Sequence, residues 1–263
     1  MRSPVRPLLA LVVLALAAAP TLAADAPKAP PMFVVHVEQA KPSTWAQYEA
    51  TTKEFVSLVK ANHQLSPKFF FNALQGENFD VAFISPINSF ADLDSINEGF
   101  MAMGKSLGDK WTDLMHRGGA TSESYSEGVY MLMTDASYWP ANPRVTMDNA
   151  AYFEVNFYRV TPGMDDQVDA IAAGWKKLYT DHKIASGYNV YKMVFGNDNP
   201  MVVVSVPAKD PLDLAQANAE IEKAFGDSIK DQLAKTWAIT RSFERRHYWA
   251  RPDLSVPPPA MSH

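Results

Sequence analysis

Displaced by 120 positions, the sequence matches itself, and a chain that carries one unit twice has few architectures open to it. Pro42 meets Pro162, Gln47 meets Gln167, Phe55 meets Trp175, Leu58 meets Leu178, Gly76 meets Gly196 and Ser85 meets Ser205. Further along the displacement is 118, where Gly108-Asp109 meets Gly226-Asp227, and then 110, where Tyr138-Trp139 meets Tyr248-Trp249. A loop of unequal length would cause such slippage, and HRGGATSES, residues 116–124, reads as the extra loop. The two Tyr-Trp pairs then close two copies of one unit.

Both copies have the same layout. MFVVHVEQ and AYFEVNFYRV alternate apolar and mixed residues, as a half-buried strand does. Pro42 and Pro162 follow, where proline suits a first helical turn. Trp45, Tyr48, Thr52, Phe55 and Val59 have helical spacing, as do Val168, Ile171, Trp175 and Leu178. KFFFNALQGENFDVAFIS and YNVYKMVFGNDNPMVVVS each read as two short strands around a glycine-containing turn. A second helix follows, over 90–115 and 212–237, with a break expected at Gly-Asp, and a last strand covers 128–134 and 239–248. The order is β-α-β-β-α-β, the ferredoxin-like unit. The predicted class is α+β, with a first unit over 32–140 and a second over 149–250.

The ends lie outside this pattern. Residues 1–23 carry Arg2 and Arg6, an apolar run from Leu8 to Ala19, and small residues up to Ala23, which is the layout of a cleavable signal peptide. Residues 24–31 read as a proline-rich leader and 251–263 as a proline-rich tail. The apolar run is too short to span a bilayer, so no stable membrane insertion is expected after cleavage. A formal charge of -5 without a basic run argues against a nucleic-acid partner. With no cysteine, an exported chain must rely on its core. The expected compartment is the periplasm.

Two such units in one chain resemble the dimeric α/β-barrel superfamily, which includes NIPSNAP-like proteins, antibiotic-biosynthesis-type monooxygenases and chlorite dismutase-like haem proteins. The resemblance implies that both units fuse into one pseudo-dimeric barrel with helices outside. Phe33, Val35, Val37, Phe153, Val155 and Phe157 are wholly apolar and are expected to face the helices. Val34, His36 and Glu38, with Glu154, Asn156 and Tyr158, should then point into the barrel and line one shared ligand space. Asn72 and Lys192 occupy matching second-strand positions and are expected to point the same way. The alternative is that these groups only satisfy one another.

The resemblance also implies a haem ligand in the C-terminal half, and His182 is the candidate by position. Cofactor-free monooxygenases of the superfamily use Asn, Trp and Tyr, types offered here by Trp45, Trp175, Asn72 and Tyr191. The residues themselves call for no cofactor and no metal, because the six histidines include no close pair. GFMAMGKS, residues 99–106, satisfies a phosphate-loop pattern but falls inside a predicted helix, so it reads as coincidence. The leading expectation is an exported, non-enzymatic protein that binds a small molecule of unknown identity. A cofactor-free or haem-dependent monooxygenase-like enzyme and a structural or interaction protein are the alternatives, and the oligomeric state is left open.

Overall fold

The computed structural model describes residues 31–147 and 149–257. The expected signal peptide, nearly all of the leader and the end of the tail lie outside the described residues. The first half runs β1 (Met32–Ala40), α1 (Trp45–Ala61), β2 (Asn72–Gly76), β3 (Asp80–Ile87), α2 (Ala91–Leu107), α3 (Asp109–Thr121) and β4 (Ser122–Leu132). The second runs β5 (Tyr152–Val160), α4 (Val168–Asp181), β6 (Asn189–Phe195), β7 (Met201–Ala208), α5 (Pro211–Phe225), α6 (Ile229–Ile239) and β8 (Thr240–Ala250). All neighbouring strands are antiparallel and close a barrel in the order β1-β3-β2-β8-β5-β7-β6-β4.

Local chemistry sets the helix boundaries. Asp210 caps α5 by accepting a hydrogen bond from the Asp213 amide at 2.8 Å, with Pro211 in the first turn. The expected breaks fall at Gly108 and Gly226, whose φ values of 53° and 51° suit a residue without a Cβ. Residues 116–121 are not the expected loop. α3 continues to Thr121 and β4 follows at once, so this stretch belongs to regular structure in both halves. The phosphate-loop pattern lies in α2, with Gly99 buried.

The apolar strand faces do not meet the helices. Val35 and Val37, Leu74, Ala82, Tyr130, Phe153 and Val155, Tyr191 and Met193, Val203 and Tyr248 form one cluster to which all eight strands contribute. This cluster is the barrel interior. The opposite faces meet the helices, Ala73 and Val81 with Tyr48 in one half and Val190 and Val202 with Val168 and Phe225 in the other. The expected assignment of faces is therefore inverted. An eight-stranded barrel is just wide enough for side chains to fill, and these apolar side chains fill it.

The Tyr-Trp pairs are not equivalent either. Tyr248 sits in the barrel interior, where the matching residue of the other half is Tyr130. Tyr138 lies beyond β4 and bridges Tyr188 of the second half. The true counterparts are the segments that follow β4 and β8, each crossing to the other half. Ser137 donates to the Met133 carbonyl at 2.8 Å and accepts from the Val190 amide at 2.9 Å. Ser255 donates to the Arg251 carbonyl at 2.8 Å and accepts from the Ala73 amide at 2.9 Å. Ala136 and Tyr138 join the second-half core, and Leu254 and Val256 join the first-half core. The first strap thus lies just before the expected end of the first unit at 140, and the second begins at the expected start of the tail at 251.

Each serine satisfies a buried backbone amide, so Ser137→Ala and Ser255→Ala should each destabilise by about 1–3 kcal/mol. Urea unfolding of both variants checks this. A loss at only one position would show that the straps are not energetically matched.

Candidate functional site

With the barrel interior filled, open volume remains between each half of the sheet and its helices. In the first half, β1 turns Val34, His36 and Glu38 toward α1, α2 and α3, and β4 adds Tyr125 and Glu127 beside them. They line a cavity of about 1020 Å³. The far wall is aromatic. Phe55 stacks on Phe100 at 6.0 Å, Phe69 meets Phe100 edge-on at 4.7 Å, and Phe71 meets Phe83 at 5.4 Å.

The polar end of this cleft is a histidine held by two carboxylates. His36 Nδ1 lies 2.9 Å from Glu127 and Nε2 lies 3.1 Å from Glu38, whose other oxygen accepts from Ser122 at 3.3 Å. Burial works to lower the His36 pKa, but the bonds and charges of Glu38 and then Glu127 outweigh it, and the net shift is upward. Burial works to raise the Glu38 pKa, and the His36 bond turns the shift downward. Tyr125 stacks on the imidazole at 5.8 Å and is 75% exposed at the mouth. Tyr48 is 1% exposed, lines the cavity, and has a hydroxyl without a hydrogen-bond partner among the described residues. Burial, and after it the nearby Glu38 carboxylate, keep that phenol in its neutral, proton-donating form.

The second half repeats the construction with other side chains. Asn156 takes the place of His36, Tyr158 of Glu38 and Arg245 of Glu127, because Asn156 pairs with Arg245 across β5 and β8 as His36 pairs with Glu127 across β1 and β4. Glu154 is 6% exposed, accepts from Asn156 at 2.8 Å and lies 3.5 Å from Arg245. The cavity, about 410 Å³, runs under α4, α5 and α6 past Trp175 and Tyr179. His36, Glu38, Glu154, Asn156 and Tyr158, expected in one enclosed space, therefore stand in two clefts, one outside each half of the barrel.

This architecture has solved relatives in shape. An anthrone oxidase-like protein superposes with a TM-score of 0.58 at 12% identity, covering 84% of this chain and 92% of that one. Chlorite dismutase from Candidatus Nitrospira defluvii superposes with a TM-score of 0.52 at 13% identity, covering 86% of this chain and 93% of that one. The fold is that of the dimeric α/β barrels. No family model and no curated protein matches the sequence.

Within this dimeric α/β barrel the remaining predicted residues scatter. Asn72 is exposed and shares the barrel-facing side of β2 with Leu74, whereas Lys192 falls on the helix-facing side of β6 with Val190. Their expected common direction is not found. Trp45 packs on Tyr48 at 5.4 Å, Tyr191 belongs to the barrel interior, and Trp175 lines the second cleft.

Haem is not matched by the donors. His182 caps the C-terminal end of α4, is exposed and rests against Phe225 and Ser228, outside both clefts. His36 is the histidine that lines a cleft, and both its ring nitrogens are held by carboxylates. Among the described residues no cluster of three His, Asp or Glu could hold a metal ion.

The raised His36 and lowered Glu38 values fix a stability window. The histidine's contribution is complete below its ordinary 6.5 and fades as pH rises through the elevated folded value. The glutamate's is complete above its ordinary 4.5 and fades as pH falls through the depressed folded value. The stability advantage of the native chain over His36→Gln should be greatest between those two limits and shrink on either side. Thermal melts across pH would contradict the assignment if the advantage grew from neutral to alkaline pH.

Proposed function

We propose that the first-half cleft binds a small, largely aromatic molecule that is uncharged and presents an O–H or N–H group to the carboxylates of Glu38 and Glu127, which His36 holds in place. The observation that carries this reading is the His36–Glu38–Glu127 constellation at the end of an aromatic cavity of about 1020 Å³, a volume at the upper end of small-molecule sites, which run to roughly 1,000 Å³. Two carboxylates repel an anionic ligand and accept hydrogen bonds from a neutral one. The unpartnered Tyr48 hydroxyl supplies a further polar contact. In this reading the chain is an exported, periplasmic protein made of two ferredoxin-like units in tandem, with residues 1–23 removed as a signal peptide.

A second reading is favoured by the raised His36 pKa and by the shape shared with an anthrone oxidase-like protein. The same constellation can take a proton from a bound phenol or activated C–H and hold it, which readies an electron-rich substrate for dioxygen without a cofactor. In the plain binding reading no proton leaves the ligand for good.

Calorimetric titration with naphthol tests the binding reading. The native protein should bind it, and Glu38→Gln should weaken binding tenfold or more, in line with the roughly 1.5–3 kcal/mol of a hydrogen bond to a charged group. Unchanged affinity in Glu38→Gln, or no binding by the native protein, would sink it. Dioxygen uptake with anthrone as probe separates the two readings. Uptake abolished by His36→Ala supports the oxygenase, while binding without uptake leaves the carrier.

A further inference from the structure

The strands that rim the two clefts carry opposite charge at matched positions. β4 presents Glu123, Tyr125 and Glu127 along the first cleft, and β8 presents Arg241, Phe243 and Arg245 at the corresponding positions. The aromatic in the middle is kept and the acids on either side become bases. Arg241 spends its donors on the carbonyls of Val160 and Asp198 at 3.1 and 3.3 Å. Arg245 donates only its Nε, to Asn156 at 2.9 Å. Its two terminal nitrogens make no hydrogen bond among the described residues, and its side chain is 51% exposed at the edge of the cavity.

The charges facing this arginine are Glu154 and Glu222. Glu154 is already engaged by Asn156 and by the Nε side of Arg245, and Glu222 is exposed on α5, on the wall opposite the strand. The outward fork of the guanidinium is thus available, and a planar fork suits a carboxylate. The rest of the cavity is apolar and aromatic, including Trp175, Tyr158, Phe243 and Trp237. Trp237 and Phe243 are 46% and 37% exposed and meet edge-on at 5.3 Å at the mouth. Deeper in, Tyr188 is 4% exposed with a hydroxyl that lacks a partner among the described residues.

We propose that the second cleft is a separate binding site for a small apolar monocarboxylate, with the carboxylate on the terminal nitrogens of Arg245 and the apolar body beneath α4–α6. The volume of about 410 Å³ sets an upper size, smaller than the first cleft admits. The site stands apart from the reading of the first cleft, because the two share no lining residue.

The test is calorimetric titration with naphthoate and with its uncharged isostere naphthamide. Native protein should bind naphthoate at least tenfold more tightly than naphthamide. Arg245→Gln should remove that preference, Arg245→Lys should recover part of it, and Arg241→Gln, which deletes the same charge outside the cavity, should change affinity less than twofold. Melting curves of each variant show whether it is folded, and the half-exposed position of Arg245 makes its replacement tolerable. Equal binding of acid and amide, an equal loss in Arg241→Gln and Arg245→Gln, or no naphthoate binding by native protein would each overturn the proposal. Naphthol binding that persists alongside any of these outcomes would leave the first cleft's function standing.

Discussion

Closure of the barrel is the constraint on which the rest depends. Eight strands leave no edge, and every inward side chain must fit a narrow interior. The chain meets this with Val, Phe, Met, Leu and Tyr from all eight strands. The inward-facing charges pair with one another: Arg159 donates to Glu244 at 3.2 Å, Glu244 accepts from Arg246 at 2.6 Å, and the Arg246 guanidinium lies 5.8 Å from the Phe157 ring centre. The interior is mostly apolar, and the polar positions of β1 and β5 stand on the other face. That face is covered incompletely by helices, and the uncovered volume is where ligands fit.

Closure also needs the two halves to hold together, and the sheet alone does so through two seams, β2 with β8 and β4 with β6. The first seam is short, three residue pairs. The crossing straps reinforce both seams by burying Tyr138 and Leu254 in the opposite half and by giving each second strand an extra backbone partner. Arg251 bonds Asp253 and Glu49 as well as Gln75, which fixes the second strap on α1 and β2. A half deprived of its partner's strap would lose part of its own core, so the halves are mutually dependent.

Much of this was legible in the sequence. The element order and the breaks at Gly108 and Gly226 follow from periodicity and glycine placement, and the barrel from the resemblance to the dimeric α/β-barrel superfamily. The error lay in deciding which strand face is inside. Alternation separates the two faces of a strand without naming them, and the usual inference, that the apolar face meets the helices, holds for an open sheet with one wet side. In a closed barrel both faces are covered, one by the opposite wall and one by helices, so alternation alone does not say which face turns inward. The straps were missed because the repeated Tyr-Trp drew attention from the weaker Asp-x-Ser at 135–137 and 253–255, which carries the matching hydrogen bonds. Glu127 was invisible for a different reason. Its meeting with His36 depends on strand register across 91 residues, which no local pattern encodes.

The two clefts differ in chemistry but not in construction. The same cross-strand pair, one residue from the first strand and one from the last, forms the polar end of each: His36 with Glu127, Asn156 with Arg245. Backbone geometry at these positions is fixed by barrel closure, so side chains there can change without a cost to folding beyond their own solvation. Interior positions lack that freedom, since a charge placed at Val203, between Phe157 and Tyr191, would be buried without a partner. The structure therefore divides its positions into those that keep the barrel shut and those free to choose a ligand. Of the polar residues first singled out, His36, Glu38, Glu154, Asn156 and Tyr158 fall in the second group, whereas Asn72 and Lys192 line neither cleft.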